Sequence, residues 1–211
     1  MNKLIPFSAI ALCSAGVLIV IVNAIVTPFF DTHLSFEQQA ASTLFLLRQG
    51  LSAITAILLF FGSIGIYLSL CNKANRHGFI SFILVSIGNM VLLAQEWGEI
   101  FIIHQLAQTT PDALVKIEAI ENFNQLDLGA IIAFSFFVIG WILFSIFIMQ
   151  NNVYKAVGPI LIISGLFATP ILSAVLSAII GLIIGNTLVG LGWFMLGREL
   201  FYKIRSQAIA I

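Results

Sequence analysis

Charge is what this chain has least of: nine basic and nine acidic side chains stand among 211 residues, 9% in all. The two signs cancel, so nothing in the balance points to nucleic acid or to an acidic partner. Cysteine is nearly absent. Cys13 and Cys71 are too few for a disulfide framework and read as two isolated thiols. Long hydrophilic stretches are missing too, the longest being Ala107 to Asp127, which leaves no room within this chain for a catalytic or sensory domain outside its apolar part. Runs that alternate apolar and polar residues are lacking, and that excludes an outer-membrane barrel. There is no HExxH pair, no phosphate-cradling glycine loop, no dinucleotide fingerprint and no nucleophile elbow. No two histidines share a helix face, so neither a metal centre nor a cofactor is expected, and an enzyme is the least favoured class.

What the chain does have is apolar sequence. Hydrophobic residues make up 60% of it, and the mean hydropathy is +1.11. Between Lys155 and Arg198 it runs 42 residues without an acidic or basic side chain, and similar runs occupy 4–30, 49–72, 77–95 and 128–154. A helix needs about 20 apolar residues to cross roughly 30 Å of hydrocarbon. The reading is an all-α, polytopic transmembrane bundle in one domain, with lipid as its first partner. Six spans are expected at about 5–29, 49–71, 78–98, 128–149, 156–171 and 173–197. The 42-residue run is divided at Thr169-Pro170, because a residue before proline is pushed away from helical geometry; one kinked span with a re-entrant piece is the alternative. Met1-Asn2-Lys3 and its apolar run mimic a signal peptide, but that run is too long for one, and an uncleaved first span is expected.

Basic residues set the orientation. With the N-terminus inside, Lys3, Lys73, Arg76, Lys155, Arg198, Lys203 and Arg205 fall on the cytoplasmic side, and only Arg48 and Lys116 fall outside. Eight of the nine acids lie outside or at the outer edge, Glu199 being the exception. Both termini are therefore expected in the cytoplasm.

Lipid supplies no hydrophobic drive for helices to associate, so close packing needs small residues. Ser173, Ser177, Gly181 and Gly185 recur every four residues, which predicts one small-residue face on the last span. That face suits a neighbouring helix of the bundle, or else a homo-oligomer seam or another membrane protein. Asn186, at mid-depth, is expected to donate to a neighbouring helix. The corners Ile66–Gly78 and Ile146–Gly158 echo each other at an offset of 80 residues, as an internal repeat or as two loops obeying the same charge rule.

The third span carries the chemistry. Asn89 and Glu96 are seven residues apart, hence nearly on one helix face, and Glu99 flanks it one turn later. At about 1.5 Å per residue from Gly78, Glu96 lies roughly 27 Å up, at the outer edge of the hydrocarbon. Arg48 and Asp127 reach a similar height. An ion pair from Arg48 to Glu96 or Glu99 is expected. It is either a fastening between helices, with Trp97 as a headgroup anchor, or one side of an outward vestibule lined by Arg48, Glu96, Glu99, His104 and Asp127. Beyond it, Thr110-Pro111 opens an amphipathic segment, about 111–124, that lies on the outer surface or caps the bundle.

Phe45-Leu-Leu-Arg48-Gln-Gly50, the corner Asn72-Lys-Ala-Asn-Arg-His-Gly78 and Val153-Tyr-Lys-Ala-Val-Gly-Pro-Ile-Leu-Ile-Ile-Ser-Gly165 resemble the bacterial multi-pass family designated domain of unknown function 4386. The resemblance covers most of the chain and implies a bacterial cytoplasmic (inner) membrane protein. It brings no activity and no site residue. Two readings of function stand: a non-enzymatic membrane component that associates with itself or a partner, and a small transporter or solute-binding protein working through the vestibule.

Overall fold

The structure is a computed structural model that describes residues 4–31, 33–118 and 125–209. Among these residues every regular element is helical, and six helices are long and apolar enough to cross a bilayer. We number the helices α1 (Leu4–Phe29), α2 (Phe36–Ala40), α3 (Thr43–Leu70), α4 (Arg76–Thr109), α5 (Pro111–Glu118), α6 (Gln125–Gln150), α7 (Val157–Val175) and α8 (Ala178–Ile209). All but the short α2 and α5 are spans.

Local chemistry sets where several of them start. The Ser42 hydroxyl accepts from Phe45 N at 3.1 Å and opens α3, and the Asn75 carbonyl oxygen accepts from Gly78 N at 3.0 Å and opens α4. Ser35 and Gln38 form a reciprocal capping box on α2. The reversal from α6 to α7 passes through Asn152 at φ 52°, a left-handed position that asparagine tolerates better than most residues.

The division between the last two spans differs from the expected one. Pro170 lies inside α7, which continues to Val175, and the turn falls at Leu176 and Ser177. Ser177 supplies the reason, since its hydroxyl caps the new helix by accepting from Ile180 N at 3.2 Å. A cap marks where a helix begins, whereas a span interrupted by one proline can stay helical when neighbouring helices support it. The third span also overruns its expected limit at 98. It passes through a π-helical stretch at Glu99–Ile103 and ends at Thr109.

The spans form a ring in chain order, α1 beside α3, then α4, α6, α7 and α8, which closes back on α1. Aromatic rings fill the middle. Trp141 and Trp193 lie 5.2 Å apart between centroids, Phe137 meets Trp193 edge-on, and Phe144 continues the stack towards Phe147 and Phe82. The axis of the bundle is thus packed with side chains. Outward, every span presents large apolar groups such as Ile10, Ile54, Met90, Ile139, Ile160 and Leu191, a surface that hydrocarbon solvates and water does not.

Close approach depends on glycine where α4 crosses α6. A Cβ on Gly88 would lie 2.7 Å from Phe136 O, and one on Gly140 would lie 2.7 Å from Val85 Cα. Each helix lays its backbone in the other's gap.

The ends of the bundle differ in charge. At one end the Tyr154 and Ser69 hydroxyls are hydrogen-bonded, Lys203 Nζ donates to Ser69 O at 3.3 Å, and Lys155 N donates to Glu199 Oε2 at 2.8 Å. These contacts tie three corners together and gather Lys73, Arg76, Lys155, Arg198 and Lys203 at a basic end. At the other end lie Asp31, Glu37, Glu96, Glu99 and Asp112. There a second apolar cluster of Ala40, Phe45, Ile103, Ala107 and Leu114 seats α2 and α5 on the ends of α3 and α4. Leu114 is 1% exposed, so the described part of the expected segment 111–124 caps the bundle; residues 119–124 lie outside the described ones.

Candidate functional site

At the acidic end two cavities meet at Arg48, Gln49 and Glu99. One, of about 410 Å³, lies between α3, α4 and α6 and is lined by Arg48, Gln49, Leu92, Gln95, Glu96, Glu99 and the α6 segment 130–135 without Ile132. The other, of about 270 Å³, is walled by Thr27 and Phe30 at the end of α1, by Phe36 and Gln39 of α2, by Phe45, Arg48 and Gln49 of α3, and by Glu99 and Ile179.

Helix geometry brings these groups together. On α4 the spacing of Leu92, Gln95, Glu96 and Glu99 places all four on one face. On α3 the adjacent residues Arg48 and Gln49 face both cavities. Two of the helices leave regular α geometry beside the site. α1 becomes π-helical at Ile21–Val26, just before the lining residue Thr27, and α4 does so from the lining residue Glu99 onward. Interruptions of this kind gather at functional positions. The one in α1 precedes Thr27-Pro28, where proline has no N–H to return to the helix, and Thr27 Oγ1 donates to Val22 O at 2.8 Å.

The hydrogen bonding is one-sided. Arg48 donates from Nε to Thr27 Oγ1 at 3.3 Å and from a terminal nitrogen to Gln49 Oε1 at 2.6 Å. Among the described residues no ion pair joins it to Glu96 or Glu99, so the expected salt bridge is absent. The cause is visible: Thr27 on α1 and Gln49 on its own helix draw the guanidinium aside. Among the described residues, of the four carboxyl oxygens of Glu96 and Glu99 only one accepts a hydrogen bond, Glu99 Oε1 from Gln95 Nε2 at 3.1 Å. Glu96 Oε2 is sealed from solvent and meets no donor. Gln49, 2% exposed, has its amide oxygen bonded to Arg48, while its amide nitrogen has no acceptor among the described residues.

The other expected site residues are placed elsewhere. Asn89 is 1% exposed and lies below the cavity, where its Oδ1 accepts from Trp141 Nε1 at 3.1 Å and its Nδ2 has no partner. His104 is apart from both cavities, with Nδ1 on Ala40 O at 2.6 Å and Nε2 on Gln108 Nε2 at 2.9 Å, and so fastens α2 to α4. Asp127 is exposed on the first turns of α6, before the lining residue Ala130, and lines neither cavity. Trp97 lies on the outer surface against Phe101, at 4.5 Å between centroids.

The small-residue stripe is also redistributed. Ser173 belongs to α7, Ser177 to the turn, and Gly181 and Gly185 to α8. A Cβ on Gly181 would meet Ser173 and lie 2.7 Å from Thr169 O, and one on Gly185 would lie 2.8 Å from Thr169 N. These residues close the α7–α8 hairpin on itself rather than forming one exposed face. Asn186 likewise turns inward on its own helix, donating to Leu182 O at 3.0 Å. In mid-membrane an amide bonded to its own preceding turn needs no neighbour.

Sequence reasoning passed over Gln49, Gln95, Thr27 and the α6 wall. The first two had a legible signal, an amide beside each ionisable residue; the α6 residues are apolar and carry none. Among the described residues no group of three or more His, Cys, Asp or Glu side chains converges on a point that would hold a metal ion. Family models, curated proteins and solved structures were compared with the chain, and none matches it.

Proposed function

We propose that this chain is a non-enzymatic, multi-pass protein of a bacterial cytoplasmic membrane, akin to the family it resembles, and that it binds a small polar solute in an outward-facing pocket at its acidic end. Both termini are then cytoplasmic, since the basic corners face the side that retains positive charge. The observation that carries the binding reading is the 410 Å³ cavity, in which two carboxyl groups face a guanidinium without pairing to it. Its size falls within the range of about 300–1,000 Å³ usual for ligand pockets. Ionisable groups at membrane depth are expensive and ordinarily have a partner or a task. The rival reading, a component that works by self-association, loses support because Ser173, Gly181 and Gly185 are taken up within one hairpin.

Water access decides the matter. In a variant with Cys13 and Cys71 replaced, Leu92→Cys lines the cavity and Val85→Cys lies two turns deeper in the sealed core. A membrane-impermeant thiol reagent added from the acidic side is expected to label position 92 and not 85. No reaction at 92 would sink the pocket reading.

A further inference from the structure

Resting on that pocket reading, we infer that the ligand is an organic ammonium ion: a protonated amine attached to an apolar body of modest size. Four features of the cavity select this class. Two carboxyl groups, those of Glu96 and Glu99, converge on the cavity against the single guanidinium of Arg48, and a cation is the guest that lets both of them ionise in a setting where net charge is costly. Among the described residues three of the four carboxyl oxygens meet no donor, and an ammonium supplies up to three N–H donors. Gln49 is an independent sign, being 2% exposed and lining the cavity while its amide nitrogen meets no acceptor among the described residues. A hydroxyl or carbonyl oxygen on the ligand body would meet it. The remaining walls are apolar, from Leu92, Ala130, Ile131 and Phe134, and they suit hydrocarbon rather than a hydrated ion. A bare metal ion fits poorly, because a cavity of about 410 Å³ far exceeds an ion's volume and among the described residues no third carboxylate, histidine or cysteine joins the two glutamates.

Ile131 and Phe134 line the cavity and are half-exposed, so an apolar body has hydrocarbon to rest against there.

The test uses the full-length protein in detergent and the probe phenethylammonium, with 2-phenylethanol as its uncharged analogue and sodium chloride as the inorganic cation. Thermal unfolding is followed against the concentration of each. A saturable upward shift in Tm with phenethylammonium is expected, with at least tenfold weaker half-saturation in Glu96→Gln and no change in Asp112→Asn, an exposed acid on α5. Where Glu96→Gln fails to fold, Glu99→Gln is read in its place and the same weakening is expected. An equal shift with 2-phenylethanol, an equal shift with sodium, or no shift with phenethylammonium each overturns the ligand class. Labelling at Leu92→Cys separates the two levels: if position 92 reacts while phenethylammonium has no effect, the pocket stands and the ammonium does not.

Discussion

Arg48 and Glu96 lie at the same height on neighbouring helices, yet their environments assign them different work. Arg48 holds Thr27 and Gln49, so it joins the end of α1 to α3. Replacing it with methionine leaves two acceptors unmet and is expected to cost about 1–3 kcal/mol. Glu96 bonds no protein donor, and Glu96→Gln is expected to unfold within about 1 kcal/mol of the parent in chemical denaturation, the usual range for a change that breaks no contact. A large loss for Glu96→Gln would return the residue to a purely structural role. Tyr154, in the corner between α6 and α7, titrates differently from an exposed tyrosine. Burial is the main cause, and the nearby Glu199 carboxylate adds to it while the Ser69 hydrogen bond opposes it, so the phenol is pushed up to about 12 from 10.0. A raised folded value means that Tyr154 contributes its full stability below pH 10, the unfolded value, and that this is lost as pH rises through about 12. Unfolding followed against pH should show a decline across this window that Tyr154→Phe removes. A decline of the same size in Tyr154→Phe would assign it to other groups.

Among the elements, α4 and α6 bear the site from opposite sides, and their spacing is set by the glycine crossing below it. Gly140→Leu drives a side chain into the Val85 backbone and is expected to cost at least about 2 kcal/mol, at the upper part of the overpacking range. At Gly129, higher on the same helix, a Cβ meets nothing within 4 Å, and Gly129→Leu should change stability by less than about 0.5 kcal/mol. Equal effects in an unfolding titration would disprove the crossing as the pivot. The elements also show what the sequence could and could not disclose. Five apolar runs, the last long enough for two spans, were legible because hydrocarbon demands length and continuity. The break at Ser177 was obscured by Pro170, whose lost hydrogen bond a surrounded helix tolerates. The face shared by Glu96 and Glu99 could be read from spacing. The direction of Arg48 could not, because Thr27 competes for its guanidinium from a helix 21 residues away. His104 read as a vestibule residue until α2, five residues long and hard to see in sequence, supplied the Ala40 carbonyl that holds it.

For the whole molecule, the separation of charge between the two ends is the feature on which the proposed orientation and the proposed side of solute access rest. Trp141 and Phe144 of α6 and Trp193 of α8 fill the axis of the ring with aromatic side chains. The proposed orientation puts the basic end in the cytosol and the acidic end outside. In intact bacterial cells making the protein without Cys13 and Cys71, a membrane-impermeant maleimide should label Val115→Cys on α5 directly. It should label Ala74→Cys, at the basic corner between α3 and α4, only after the cells are opened. The reverse pattern, or labelling of both positions in sealed cells, would contradict it.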